Sequence, residues 1–349
     1  MTEKKKTEPA DIKSERSKVL KRASKFVYPV GSSKRNITLI STFVFVLFFV
    51  LFAGIFAFLV YVKNDNSNFT YQVSKIIPTP IGKVGNNFVT YEEYLFELKD
   101  DLHFLIEQES IDQTSSEGKK RITELKKQAE QRAYSTALAE NIAKKEGIKI
   151  SDEEVKQKVS ILKTQASDLG GAGGTPDKPV EINSGDKRFD EILKEYYNWN
   201  TVDLNRALRT QIIKSKLPEV IDDEAKQEAE DLQKTLSADP KTFAEEAKQK
   251  SKDKETAEKG GDLGFLTPES SVAYPKNFLE AANNLKDGQV SAVVQTDFGL
   301  HIITRTETNK DGQPKISHIL IEYGDVEKLL DAKLMTKDVQ VSKYLEINN

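Results

Sequence analysis

The chain has 349 residues, 31% of them charged, yet its formal net charge is only −3 and it contains no cysteine. Such a length implies two or three domains. The near-neutral balance gives no general attraction to nucleic acid. The missing cysteines exclude a disulfide framework, a thiolate nucleophile and a cysteine-based zinc site.

Residues 1–36 form a basic tail, from Lys4, Lys5 and Lys6 through Arg22 to Lys34 and Arg35. Its charge run reads as a topology signal in a disordered segment. Residues 37–62 then carry no charge and are rich in Phe, Leu, Val and Ile. A helix needs roughly 20 apolar residues to cross a bilayer, so this stretch predicts a transmembrane helix. It ends in bulky Phe58, Leu59, Val60 and Tyr61 before Lys63, not in the small residues of a signal-peptide cleavage site. The flanks set the orientation: basic upstream, Asn64, Asp65 and Asn66 downstream. The positive-inside rule predicts a single-pass protein of the cytoplasmic membrane, N-terminus inside and later domains outside.

Residues 63–81 read as a linker. From Gly82 to Val89 a strand-turn-strand pattern appears, with Gly85 and Asn86 at the turn. Thr90-Tyr91-Glu92-Glu93 is a capping box. Behind it Tyr94, Leu95, Leu98, Leu102 and Leu105 recur at helical spacing. His103 lies on that helix with no second ligand at metal spacing and reads as structural or solvated. A long helix is predicted over about Lys119–Glu146, stopped by Gly147. Ser151-Asp152-Glu153-Glu154 opens another, which ends near the Gly170–Gly174 glycine run and an exposed loop up to about Gly185. Helices over Phe189–Tyr196 and Thr201–Leu217 follow. Leu204, Leu208 and Ile212 make a core stripe on the second.

Two stretches here carry a resemblance: "ENIAKKEGIKISDEEVKQKVSILK" and "FDEILKEYYNWNTVDLNRALRTQIIKSKL". Together they resemble the helical N-terminal chaperone domain of the SurA and PrsA-like extracytoplasmic foldases, placed at 82–221. The resemblance implies that this domain cradles unfolded polypeptide.

The texture changes over residues 222–325. Asp239-Pro240-Lys241-Thr242-Phe243 starts a helix, another covers Phe278–Leu285, and Ser291–Thr296 reads as a strand before the turn at Gly299. Short strands and helices with returning connections indicate an α+β fold with a small antiparallel sheet flanked by helices. Gly260-Gly261-Asp262-Leu263-Gly264-Phe265, then Phe278, Leu285–Ser291 and Phe298-Gly299-Leu300-His301-Ile302-Ile303 fall in an order similar to that of the parvulin-type (PpiC, rotamase) peptidyl-prolyl isomerases. The resemblance implies an apolar pocket for a prolyl ring at Leu263, Phe278 and Phe298, with Tyr274 or Val272 filling its remaining place. It places Asp253 where relatives hold Cys or Asp, and His301 as the second of a histidine pair. It implies no cofactor. Asp262 reads as a structural residue bonding turn amides.

The first histidine of that pair normally opens the domain. Here the segment ahead, "KLPEVIDDEAKQEAEDLQKTL", reads as charged helix. The missing strand appears afterwards, as Lys315-Ile316-Ser317-His318-Ile319-Leu320-Ile321. "TNKDGQP" before it has hairpin-turn chemistry. The expectation is a permuted strand laid antiparallel to the His301 strand, with His301, His318 and Asp253 as the catalytic set. Two other readings stand beside it: ordinary core histidines in a hairpin, or the stub of a truncated second repeat. Glu322, Asp325 and Glu327 after the strand would repel phosphate, so no phospho-dependence is expected. Residues 326–349 read as a C-terminal helix and tail.

The function so implied is a membrane-anchored, extracytoplasmic foldase that isomerises X–Pro bonds in unfolded or secreted polypeptides. The alternative is a holdase with an inactive parvulin fold. A homodimer through the helices stays open as an assembly.

Overall fold

The computed structural model describes residues 9–26, 30–170 and 183–347. The glycine run past Gly170 and most of the loop expected there lie outside the described residues, as do residues 1–8 of the basic tail. Met1–Thr70 and Tyr71–Asn349 form two compact units.

In the first unit, helix α1 (Pro9–Phe26) replaces the disorder expected of the tail. Its Lys, Arg, Glu, Leu and Ala residues are good helix formers, and no Gly or Pro interrupts them. Helix α2 (Val30–Tyr61) contains the apolar span Ile37–Tyr61, long and apolar enough to cross a membrane. Phe43, Val44, Phe45 and Val46, spread around its circumference, are all exposed. A helix apolar on every side needs a nonpolar surrounding. Part of the expected linker winds into α3 (Asn68–Ser74). Ser67 starts it, its Oγ accepting the Thr70 N–H at 3.3 Å.

The second unit opens with strands β1 (Pro80–Val84) and β2 (Asn87–Thr90), an antiparallel pair turned at Gly85, whose φ is +57°. Helix α4 (Tyr91–His103) follows the Thr90/Glu93 capping box. Helix α5 (Ser116–Lys145) lies beside α4 and holds the hairpin. Its Asn141 Nδ2 donates to Val84 O at 2.7 Å, and its Tyr134 hydroxyl to Ile81 O at 3.2 Å. Gly147 has a φ of +70°, as the predicted stop requires. Helices α6 (Asp152–Gly170), α7 (Asn183–Tyr197) and α8 (Thr201–Lys216) close around Val155, Phe189, Leu193 and the Leu204/Leu208/Ile212 stripe. His103 Nε2 lies 2.7 Å from Glu195 O, tying α4 to α7.

Short α9 (Pro218–Ile221) leads into α10 (Asp223–Ala238), α11 (Phe243–Lys250) and α12 (Lys254–Ala257). Then come β3 (Asp262–Phe265), α13 (Pro268–Ser271), α14 (Lys276–Asn284), β4 (Val294–Thr296), β5 (Gly299–Thr308) and β6 (Pro314–Ile321). The four strands form one antiparallel sheet in the order β3-β6-β5-β4. β6 is therefore an inner strand, which removes the reading of it as the stub of a second repeat. The strand expected from Ser291 begins only at Val294. Ser291 Oγ takes the Ile303 N–H at 2.9 Å, so a side chain replaces a ladder rung there.

Both faces of β5 and β6 are covered, which is why each reads as a continuous apolar run. Leu300, Ile302, Ile319 and Ile321 pack on Ala225, Ala229, Leu232 and Leu236 of α10 and on Phe243 and Ala247 of α11. The opposite face carries Ile303 and Ile316 against Phe278 and Ala282 of α14.

The C-terminal segment departs from the expected free tail. After α15 (Val326–Leu334), strand β7 (Val341–Lys343) pairs with β1 and makes the order β2-β1-β7. β1 had an open edge, and Val341 and Lys343 supply a short extended segment to fill it.

One carboxylate joins the two ends of the α10–β6 layer. Asp222, 3% exposed, accepts the Ala225 N–H at 3.0 Å as the α10 cap and the Gly324 N–H at 2.7 Å just past β6. Losing both bonds in the interior should cost about 2–4 kcal/mol. Asp325, which only caps α15, should cost about 1 kcal/mol. Urea unfolding of the detergent-solubilised Asp222→Ala and Asp325→Ala proteins, followed by circular dichroism, checks the difference. Equal midpoint shifts would show that the Gly324 bond contributes nothing.

Candidate active site

The hairpin puts the two histidines on one face. His301 lies opposite Leu320 and His318 opposite Ile303, so the rings sit on a diagonal of the ladder, where long side chains meet. His301 Nδ1 and His318 Nδ1 are 3.1 Å apart and the rings are stacked, 17° from parallel. Both residues are buried, at 5% and 6% exposure.

Each ring has a second partner. His318 Nε2 lies 2.7 Å from Asp253 Oδ2. His301 Nε2 lies 2.8 Å from Thr296 Oγ1. Asp253 stands at the start of α12, where it also accepts from Thr256 Oγ1 at 2.6 Å and the Glu255 N–H at 3.2 Å. These contacts fix the protons. A carboxylate only accepts, so His318 donates from Nε2 to Asp253. Neutral His318 then accepts at Nδ1, so His301 donates from Nδ1. His301 accepts at Nε2 from the Thr296 hydroxyl, which itself takes the Phe298 N–H at 3.1 Å. The bonds run in one direction from Phe298 to Asp253.

The charge states agree with that chain. Burial, helped by the neighbouring His318, pulls the His301 pKa down to about 4. Burial also lowers the His318 pKa, against the pull of Asp253. For Asp253 burial acts upward, but the hydrogen bonds from Thr256 and His318 outweigh it and hold the pKa below the usual carboxylate value. At neutral pH the site holds two neutral imidazoles and one carboxylate.

Glycines bring the Asp253 loop to this strand. Gly261 has a φ of +80°, and a Cβ there would stand 2.2 Å from His318 O. Its own carbonyl accepts the His318 N–H at 2.9 Å. Asp262, expected to serve the turn, accepts the Gly264 N–H at 2.8 Å.

Phe278, only 1% exposed, meets both imidazoles edge-on, at 5.2 Å and 5.8 Å between centroids. Tyr274 stacks on Phe278 at 5.2 Å and 15°. Leu263 packs against the same cluster. Phe298 stands apart: it is 65% exposed at the turn before β5. The structure thus brings Asp253, His301, His318, Leu263, Tyr274 and Phe278 together. Thr256 and Thr296 escaped the sequence reading, because a hydroxyl at a helix start or strand end carries no spacing signal.

Comparison with known proteins matches two parts of the chain to family models. Residues 213–307 match the PPIC-type PPIASE domain, called rotamase, and residues 33–167 match the SurA-like N-terminal domain. The foldase protein PrsA of Staphylococcus aureus strain Newman is 29% identical over 245 residues, spanning 66% of this chain and 73% of the relative. The PrsA of strain N315 gives the same values. A crystal structure titled peptidylprolyl isomerase (PrsA) from Bacillus anthracis is 24% identical and covers 57% of this chain and 87% of its own, with a TM-score of 0.19.

The proton chain is open to direct measurement. With three histidines in the chain, ring 15N and 13C shifts should resolve His301 as the Nδ1–H tautomer and His318 as Nε2–H at pH 7. His301 should stay neutral until the pH approaches about 4. Because its folded pKa lies below the unfolded value, its contribution to stability is complete above about pH 6.5 and fades as the pH falls toward 4. A His301 that titrates near 6.5 in the folded protein would contradict the burial argument.

Proposed function

We propose that this chain, a homologue of the PrsA foldases carrying a parvulin-type peptidyl-prolyl isomerase domain and a SurA-like N-terminal domain, catalyses X–Pro rotation in polypeptides outside the cytoplasmic membrane. The observation that carries the reading is the 3.1 Å imidazole pair from adjacent strands, tied to Asp253 at 2.7 Å and floored by Phe278.

The reaction needs no bond making. An X–Pro amide crosses a barrier of about 18–20 kcal/mol by losing its conjugation. A planar amide places negative charge on its oxygen, and a twisted one does not. Leu263, Tyr274 and Phe278 form an apolar wall for the prolyl ring, and water-poor surroundings favour the twisted form. For the ring to reach Phe278, Tyr274 swings off the face it covers. Asp253, held ionised beside the site, disfavours charge on the carbonyl oxygen and so raises the planar ground state. The neutral histidines act through their bonds, as the rigid mount that keeps Asp253 and Phe278 in place. Phe298 on the exposed turn meets the polypeptide as it enters. Asp253 and the acidic residues past β6, Glu322 and Asp325, leave no cationic cradle for phosphate.

The chemistry is tested by exchange NMR on an unphosphorylated X–Pro peptide with the full chain in detergent micelles. Turnover is expected, with no gain from a phosphoserine before the proline. Asp253→Ala should lower it by about tenfold or more, the scale of one lost charge-assisted hydrogen bond. A folded protein without turnover would leave a holdase.

Anchoring and orientation rest on the apolar span Ile37–Tyr61 and its basic upstream flank. The cysteine-free chain suits a labelling test. In intact cells a membrane-impermeant maleimide should modify Lys310→Cys, on the β5–β6 turn, and spare Ser17→Cys. Labelling of both, or of Ser17→Cys alone, would overturn the topology.

A further inference from the structure

A second site lies far from the histidines in the fold, among the helices of the N-terminal part. Helices α4, α5, α8 and α15 enclose a cleft of about 590 Å³, a volume typical of ligand sites. Two features of its lining stand out. One is an aromatic ladder. Trp199 stacks on buried Phe96 at 5.8 Å and 13°, and outside the lining Tyr197, nearly half exposed, leans on Trp199 at 5.3 Å. This ladder already accommodates one cation at its far end, where the Arg206 guanidinium sits 4.2 Å over Phe96. The buried indole Nε1–H of Trp199 has no acceptor among the described residues.

The other feature is a charge mismatch. Glu97, Asp100, Asp101 and Glu327 face the cleft, against Arg132 and Lys214. Both cations are taken. Arg132 bonds Glu97 at 3.2 Å and also pairs with Asp101, and Lys214 bonds Glu327 at 2.9 Å. Asp100 is left without a cation among the described residues. Burial, reinforced by the neighbouring Asp101 charge, raises its pKa to about 6 despite Arg132. A half-buried carboxylate with no ion-pair partner among the described residues, beside the partly exposed Trp199 ring, is complementary to one kind of group.

We propose that this cleft binds a lysine or arginine side chain of an unfolded polypeptide, its stem against Trp199 and its charge on Asp100. The proposal rests on the reading of the chain as a foldase for polypeptides. It adds a selection rule: clients are gripped at basic residues here and rotated at prolines elsewhere.

Trp199 is the single tryptophan of the chain, so its emission reports occupancy of the cleft. The full chain in micelles is titrated with proline-free peptides that differ only at one central residue, Arg, Lys or Gln. The Arg and Lys peptides should bind about tenfold tighter than the Gln peptide, with a change in Trp199 emission, as one desolvated ion pair implies. The preference should weaken as the pH drops below about 6, where Asp100 takes up a proton. In Asp100→Asn, an isosteric change, the three peptides should bind alike. Equal affinities in the wild-type protein, a preference that survives Asp100→Asn, or binding that leaves Trp199 emission unchanged would each overturn the proposal. X–Pro turnover by the same wild-type preparation separates this failure from failure of the isomerase reading. Turnover without basic preference removes the cleft alone, and preference without turnover removes catalysis alone.

Discussion

The catalytic half of this protein depends on β6 being held between β3 and β5. That strand supplies His318, the inner rungs of the sheet and half of the apolar surface under α10 and α11. It reaches its place by hairpin from β5, not by the covalent lead into α10 that the parvulin pattern implies. The gap where such a lead would run is bridged by one side chain. Asp222 bonds the first turn of α10 and the amide of Gly324 at once. A hydrogen-bonded joint thus stands where the parvulin pattern implies a peptide-bonded one, and ladder register, not chain order, sets the geometry of the histidine pair.

The same logic runs through the site. His301 and His318 have their orientation fixed from both ends, by Thr296 on β4 and Asp253 on α12. Burial keeps both rings neutral, so the proton chain has one direction. Gly261 lets the Asp253 loop approach β6 at a distance that no side chain would allow. The site is therefore a product of four segments meeting across one sheet, and each is held by backbone contacts that leave little slack.

Much of this was legible in the sequence, for identifiable reasons. The capping boxes at Thr90 and Ser151 and the stop at Gly147 rest on local chemistry that tertiary packing had no cause to override. The β5–β6 hairpin was readable because Asp311-Gly312 sits between two apolar runs. What stayed hidden was non-local. β3 is built on Asp-Leu-Gly-Phe after two glycines, a composition that reads as a turn until β6 lies beside it. β7 is three residues long and becomes a strand only against β1. The cover of Tyr274 over Phe278 and the acidic surroundings of Asp100 arise from side chains that meet in space, with no periodicity to announce them.

The pairing of β7 with β1 has a consequence for biogenesis. A chain is made and delivered from its N-terminus, and domains generally fold as units while that happens. Here the helical half cannot close its own sheet until residues 341–343 arrive, after the whole catalytic half. Until then β1 presents an open edge, the kind of surface on which strands of other chains add. Completion of the catalytic half is thereby recorded on the helical one: a chain interrupted before β7 is left with an adhesive edge, and a finished chain has sealed it.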